Sequence, residues 1–127
     1  ESASDIVAGA GLLRHDGVSV NDWKAEGLAT DAFTSGRHPR TLIGVDRRGQ
    51  VWLAAVDGRL PNYSVGMTFA DLERLADRLE LTDAFNLDGG GSTTMVVKGQ
   101  VVNKPSDPAG ARPVGDALLV VGRGRVE

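Results

Sequence analysis

The chain alternates short apolar runs with turn-forming clusters, and that rhythm predicts its elements. Ile6 to Leu13 is small and apolar and runs into His15-Asp16-Gly17, a turn signal, so it reads as a strand. Thr41 to Val45 and Val51 to Val56 flank the short, glycine-bearing segment Asp46-Arg47-Arg48-Gly49-Gln50 and read as a hairpin. The near-continuous apolarity of Val51 to Val56 predicts burial on both faces. Ala84 to Leu87 reads as a short strand. Thr93 to Lys98 and Val101-Val102 read as a second hairpin about Gly99-Gln100, and Ala117 to Val121 as a last strand. One stretch has a helical period instead. Leu72, Leu75, Ala76 and Leu79 fall at i, i+3, i+4 and i+7, which predicts a helix over Thr68 to Glu80. Thr68 with Asp71 three residues on resembles a capping box, so Asp71 is read as a cap and the other charges as a solvated face. Val18 to Gly36 reads as a loop-rich connection anchored by Trp23 and Phe33. Lys104 to Gly115, with Pro105, Pro108 and Pro113, reads as a long loop. The expected class is α+β: mostly antiparallel short strands and hairpins, with one long amphipathic helix packed on the sheet.

Composition narrows the function. The 127 residues make one domain, and no repeat or linker divides them. A net charge of −3 argues against general binding to nucleic acid or anionic membrane, while leaving room for local anion sites built from arginines. With 41% hydrophobic and 24% charged residues, wholesale disorder is excluded. The absence of cysteine rules out disulfide scaffolds, thiolate metal sites and cysteine nucleophiles. No apolar run approaches the roughly 18 residues of a membrane-spanning helix. Glu1 to Asp5 does not read as a signal peptide, although a mature secreted chain would have lost one. Glycine is the outlier. There are 17, roughly twice the usual share, scattered singly at turns except for Gly89-Gly90-Gly91.

That triplet is the strongest chemical signal. In Asn86-Leu87-Asp88-Gly89-Gly90-Gly91-Ser92-Thr93-Thr94 a carboxylate stands at a strand end, before glycines that let a backbone approach a ligand and turn its amides inward. A hairpin turn needs only one or two glycines, so the pattern exceeds what a turn requires. Backbone amides and hydroxyls suit a phosphate or a sugar; the aspartate suits a sugar hydroxyl, a metal or a proton. Asp57-Gly58-Arg59 also ends a strand, where taken alone it reads first as an ordinary Asp-Gly turn. Arg40 precedes a strand, Asn103 closes one, and Arg112 lies in the proline-rich loop. Together Arg40, Arg59 and Arg112 would clamp an anion beside Asp57 and Asp88, since the planar guanidinium binds phosphate bidentately. Two histidines, His15 and His38, do not make a multi-histidine zinc site. Ser92 lacks the frame of a Ser-His-Asp triad, and no nucleotide-binding glycine motif is present.

The assembled motifs resemble the phosphodiester glycosidase family. They are His38-Pro39-Arg40-Thr41 before Gly44-Val45-Asp46, Val56 to Arg59, Gly66-Met67-Thr68, Asn86 to Thr94, Val102-Asn103 with Pro105-Ser106-Asp107, and Gly110-Ala111-Arg112. The resemblance runs from about Ile6 to Gly122. Its departures are Asp71 and Ala111 where the family often has Glu, and Asp116 where it has Asn. Family domains also carry a long N-terminal half with its own Asn-Gly-Phe-type motif. The resemblance therefore implies that residues 1–127 correspond to the C-terminal part of that domain, with a complementing N-terminal chain or a second copy as partner. It implies a hydrolase cleaving the glycosidic bond of a sugar-1-phosphodiester, such as an N-acetylglucosamine-1-phosphodiester. Catalytic roles fall to Asp88, Asp57, Arg59 and Arg40. Substrate binding falls to Asn86, Gly89, Gly90, Gly91, Ser92, Thr93, Asn103 and Arg112. No cofactor is required by this chemistry, and calcium near Asp57 or Asp88 would find hard oxygen ligands. The expected setting is secretion or the bacterial cell envelope. Two other classes fit the same residues: a non-catalytic module binding phosphorylated glycans, and a metal-dependent phosphodiesterase cleaving P–O.

Overall fold

The computed structural model describes residues 7–20, 23, 25–28 and 31–122. In chain order the elements are β1 (Gly9–His15), β2 (Val18–Ser19), α1 (Asp31–Thr34), β3 (Arg40–Asp46), β4 (Val51–Val56), α2 (Phe69–Arg78), β5 (Leu81–Leu87), a 3₁₀ turn (Gly90–Ser92), β6 (Val96–Val97) and β7 (Gln100–Val101). The first five strands form one antiparallel sheet in the order β2-β1-β5-β3-β4, and β6 and β7 form a separate hairpin. The class is α+β.

Turn chemistry sets the pairings. Asp46 closes the β3–β4 hairpin by accepting from the Arg48 and Gln50 amides on Oδ1 and from the Trp52 indole on Oδ2. Alternation puts Leu42 and Ala84 on one face, register shifts at Asp46 and near Leu13 bring Leu81 and Leu13 into the same core, and Phe69, Leu72 and Ala76 of α2 cover it. Trp23 and Phe33 meet the Phe69 ring edge-on at 5.2 and 5.3 Å. The loop-rich connection is thus anchored by the two aromatics its sequence offered.

The helix is ten residues long, shorter than the Thr68 to Glu80 expectation. Its start is a full capping box: Thr68 Oγ1 accepts from the Asp71 amide at 3.1 Å, and Asp71 Oδ2 accepts from the Thr68 amide at 3.0 Å. Those bonds, chiefly that from Thr68, hold the Asp71 carboxyl below its ordinary range, and Arg37 and Arg74 reinforce the shift.

Four expectations are corrected. Val51 to Val56 is not buried on both faces: β4 is the sheet edge, with Val51 65% exposed. The strand expected from Ile6 runs from Gly9, and Ile6 lies outside the described residues. The second hairpin turns at Lys98-Gly99, both left-handed, so that Gln100 already pairs with Val97. Ala117 to Val121 forms no strand. It finds no partner among the described residues, and Leu119, Val120 and Val121 are each more than 80% exposed.

The second face of the sheet carries an apolar row. Leu12, Phe85, Ile43 and Leu53 lie side by side across β1, β5, β3 and β4, all only half-buried.

Asp71→Ala should lower stability by about 1 kcal/mol, the usual worth of a helix cap, measured by urea denaturation at pH 7. Because the folded pKa is depressed, this advantage is present above the ordinary carboxylate range. It is lost as pH falls through the folded value, so wild type and variant should converge in acid. Parallel curves at all pH values would show that the cap charge contributes nothing.

Candidate active site

Four strand termini meet at one end of the sheet: the starts of β1 and β3 and the ends of β4 and β5, in the register Arg40↔Val56, Leu42↔Asn86 and Gly9↔Leu87. A cavity of about 460 Å³ opens there. It is lined by Ala8, Gly9, Ala10, Phe33, His38, Pro39, Arg40, Arg59, Asn86, Leu87, Asp88, Gly89, Gly90, Gly91 and Arg112.

The glycine loop forms its wall, and each glycine answers a different neighbour. A Cβ on Gly89 would lie 2.8 Å from the Pro39 carbonyl oxygen. Gly90 sits at φ +60 beneath the Arg59 guanidinium, with Nη1 3.2 Å from where its Cβ would be. A Cβ on Gly91 would lie 2.5 Å from Asp107 Oδ1. The expected inward cradle of amides is only partly realised. Gly89 N–H donates to Asp88 Oδ1, Gly90 N–H to Pro39, Ser92 N–H to Gly89 and Thr93 N–H to Gly90, so the triplet serves mainly to let protein groups pack closely.

Two arginines from separate segments converge on this loop. Arg59 follows β4 and lies over Gly90. Arg112 crosses from the proline-rich loop, donates to Ser92 Oγ at 2.7 Å and stands 3.8 Å from Asp107. Asp107 is a residue that sequence reasoning gave no role. Its signal is the tightness demanded at Gly91, which only the fold reveals.

Arg40 is placed differently from the expectation. It is 2% exposed, with Nε donating to Met67 O at 2.9 Å and Nη2 to Phe33 O and Gly36 O at 2.6 and 3.0 Å. The guanidinium lies 4.7 Å from the Phe69 ring centroid. Burial, with a smaller push from Arg59, lowers its pKa to about 10, so it stays charged at neutral pH. Arg40 therefore floors the cavity as a fixed cation, with most of its donors engaged inside the protein.

Asp57 does not reach the cavity. Its carboxylate accepts from Asn103 Nδ2, the Lys104 amide and the Tyr63 hydroxyl. Asn103 completes the staple by accepting from the Met95 amide and donating to Thr93 O. Thr93 is buried and paired with Thr41. Asp57, Asn103, Thr93 and Ser92 thus shape the site from behind rather than line it, and the donors around Asp57 occupy the oxygens a calcium ion would need. Among the described residues the one metal-like group of three is His15, Asp16 and Asp83, the first two exposed and the third half-buried, at the opposite end of β1 and β5.

Asn86 and Asp88 do face the cavity. Asn86 Nδ2 donates to Ala10 O at 2.9 Å, which fixes the amide and leaves Oδ1 buried without a partner. Asp88 is exposed beside it.

The cavity is floored and flanked by guanidinium groups, with one carboxylate and one orphaned acceptor, a donor-rich lining of the kind that suits an anion. Residues 1–121 match the phosphodiester glycosidase family, and the chain belongs to it. It is 31% identical over 103 residues to the N-acetylglucosamine-1-phosphodiester alpha-N-acetylglucosaminidase of Bos taurus, covering 76% of this chain and 19% of that one. It superposes on the catalytic domain of the zebrafish enzyme of that name, auto-inhibited by its pro-peptide, with TM-score 0.65 and 26% identity, over 79% of this chain and 34% of the other. A Burkholderia pseudomallei K96243 protein described as a candidate exported protein gives TM-score 0.60 and 46% identity over 62% of this chain and 15% of that one. The chain spans about a fifth of the length of the curated relative from cattle.

Gly91→Ala should displace Asp107 and with it the Arg112 bridge. The expected loss is about 1–3 kcal/mol in urea, the range for forced overpacking. A variant as stable as wild type would mean that Asp107 yields freely and does not brace the site.

Proposed function

We propose that the chain hydrolyses the bond between a sugar's anomeric carbon and a phosphodiester, releasing free sugar and a phosphomonoester. The observation that carries this reading is the meeting of Arg59 and Arg112 on the glycine loop beside Asp88. Family membership supports it, and the N-acetylglucosamine-1-phosphodiester named for the cattle relative is the first substrate to try.

The chemistry follows from charge. As the C–O bond breaks, negative charge grows on the departing phosphate and positive charge on the sugar ring. Arg59 and Arg112, above the fixed charge of Arg40, stabilise the first. Asp88 stabilises the second, or takes the proton of the attacking water. Phosphate is already a fair leaving group, so a strong general acid is not demanded. Water adds to the anomeric carbon and its oxygen ends in the sugar. Asn86 Oδ1 lacks a donor, and a sugar hydroxyl or amide N–H supplies one.

The half-buried row of Leu12, Phe85, Ile43 and Leu53 and the open edge of β4 supply a partner surface. In this proposal complementing polypeptide of the family domain covers it, with a second copy as the rival. Light scattering separates them: a dimer mass favours the second copy, and a monomer that aggregates on its own favours the complementing chain. A stable monomer would contradict both. Secretion or the cell envelope is the proposed setting.

Asp88→Asn should keep the fold, because Asn also suits turns and can accept from the Gly89 amide. Release of sugar from a sugar-1-phosphodiester should fall by about 10² or more. Near-normal turnover in the folded variant would remove Asp88 from the chemistry. In ¹⁸O-labelled water the label should enter the sugar. Label in the phosphate would indicate P–O cleavage, and tight binding without release would indicate a binding module.

A further inference from the structure

Arg59 reaches the cavity from a backbone at φ +56, a left-handed conformation that costs a non-glycine residue roughly 1–2 kcal/mol. It forms no carboxylate pair among the described residues. Its guanidinium is aimed by one side chain, His38, whose Nδ1 lies 3.2 Å from Arg59 Nη2. The other ring nitrogen, Nε2, lies 3.1 Å from Ala32 O.

These two partners leave one protonation state. A carbonyl only accepts, so Nε2 carries the hydrogen. A guanidinium only donates, so Nδ1 must offer its lone pair. The ring is also held from its own backbone: His38 N–H donates to Met67 O at 3.3 Å, and Met67 N–H donates to His38 O at 3.0 Å. The imidazole therefore meets Arg59 as a fixed acceptor.

Resting on the reading of the cavity as an anion site, we propose that His38 is the positioning residue that holds Arg59 over the glycine loop, through a ring nitrogen that accepts from the guanidinium. The groups facing the ring are the cationic Arg59, with Arg40 beside it, and the neutral Ala32 carbonyl from α1. The ring nitrogen is thus the side-chain acceptor that fixes where the Arg59 guanidinium points.

The test is calorimetric titration of sulfate into the purified protein at pH 8. Wild type should bind, His38→Ala should bind about tenfold more weakly, the scale of one hydrogen bond to a charged group, and His38→Asn, which restores an acceptor, should recover most of the affinity. Nitrogen NMR of the wild-type ring at pH 8 should show hydrogen on Nε2 and a free lone pair on Nδ1, a readout independent of any variant's folding. His38→Ala binding as tightly as wild type, or a ring protonated on Nδ1, overturns the role of His38 and leaves the anion site standing. No sulfate binding by wild type overturns both.

Discussion

A buried guanidinium organises the molecule. Arg40 opens β3, yet its side chain joins α1, the following turn and the entry to α2 through three carbonyls, and lies over the rings of Phe33 and Phe69. Moving an unpaired cation out of water costs several kcal/mol. Hydrogen bonds and cation–π contacts offset part of that, but no carboxylate pairs with it among the described residues. The uncompensated charge sits under a cavity where Arg59 and Arg112 add to it. That charge is the physical basis of the proposal that the cavity takes an anion.

Around that charge the sheet supplies precision. Four strand termini end together, so residues from the beginning, middle and end of the chain meet within one cavity. Behind it, Asp57 and Asn103 fasten the β6–β7 hairpin and the start of the proline-rich loop to the end of β4. That staple fixes the base of the loop whose far end carries Arg112. Asp107 and Ser92 then hold the Arg112 guanidinium.

How much of this was legible in the sequence depended on whether a residue's role is local. The β3–β4 hairpin and the helix cap are written in neighbouring residues, and both could be read. The glycine triplet could be read as unusual, since three glycines exceed a turn's need. That each answers a separate protein neighbour could not, because Pro39, Arg59 and Asp107 come from elsewhere in the chain. Asp57 looked like a catalytic carboxylate because an Asp at a strand end has the same sequence whether it faces a ligand or a backbone amide. Arg40 looked like a clamp residue for the same reason. His38 stood in plain view within a motif, but its link to Arg59 exists only in three dimensions. Val51 to Val56 read as doubly covered because apolarity reports what a strand needs, not what the described residues provide.

The most direct test of the central claim is a crystal structure with a non-hydrolysable glycosyl-1-phosphonate ester. The account predicts phosphonate oxygens within about 2.7–3.2 Å of the Arg59 and Arg112 guanidinium nitrogens, with the sugar ring turned toward Asn86 and Asp88. A phosphonate bound elsewhere on the surface, with both guanidinium groups untouched, would contradict it.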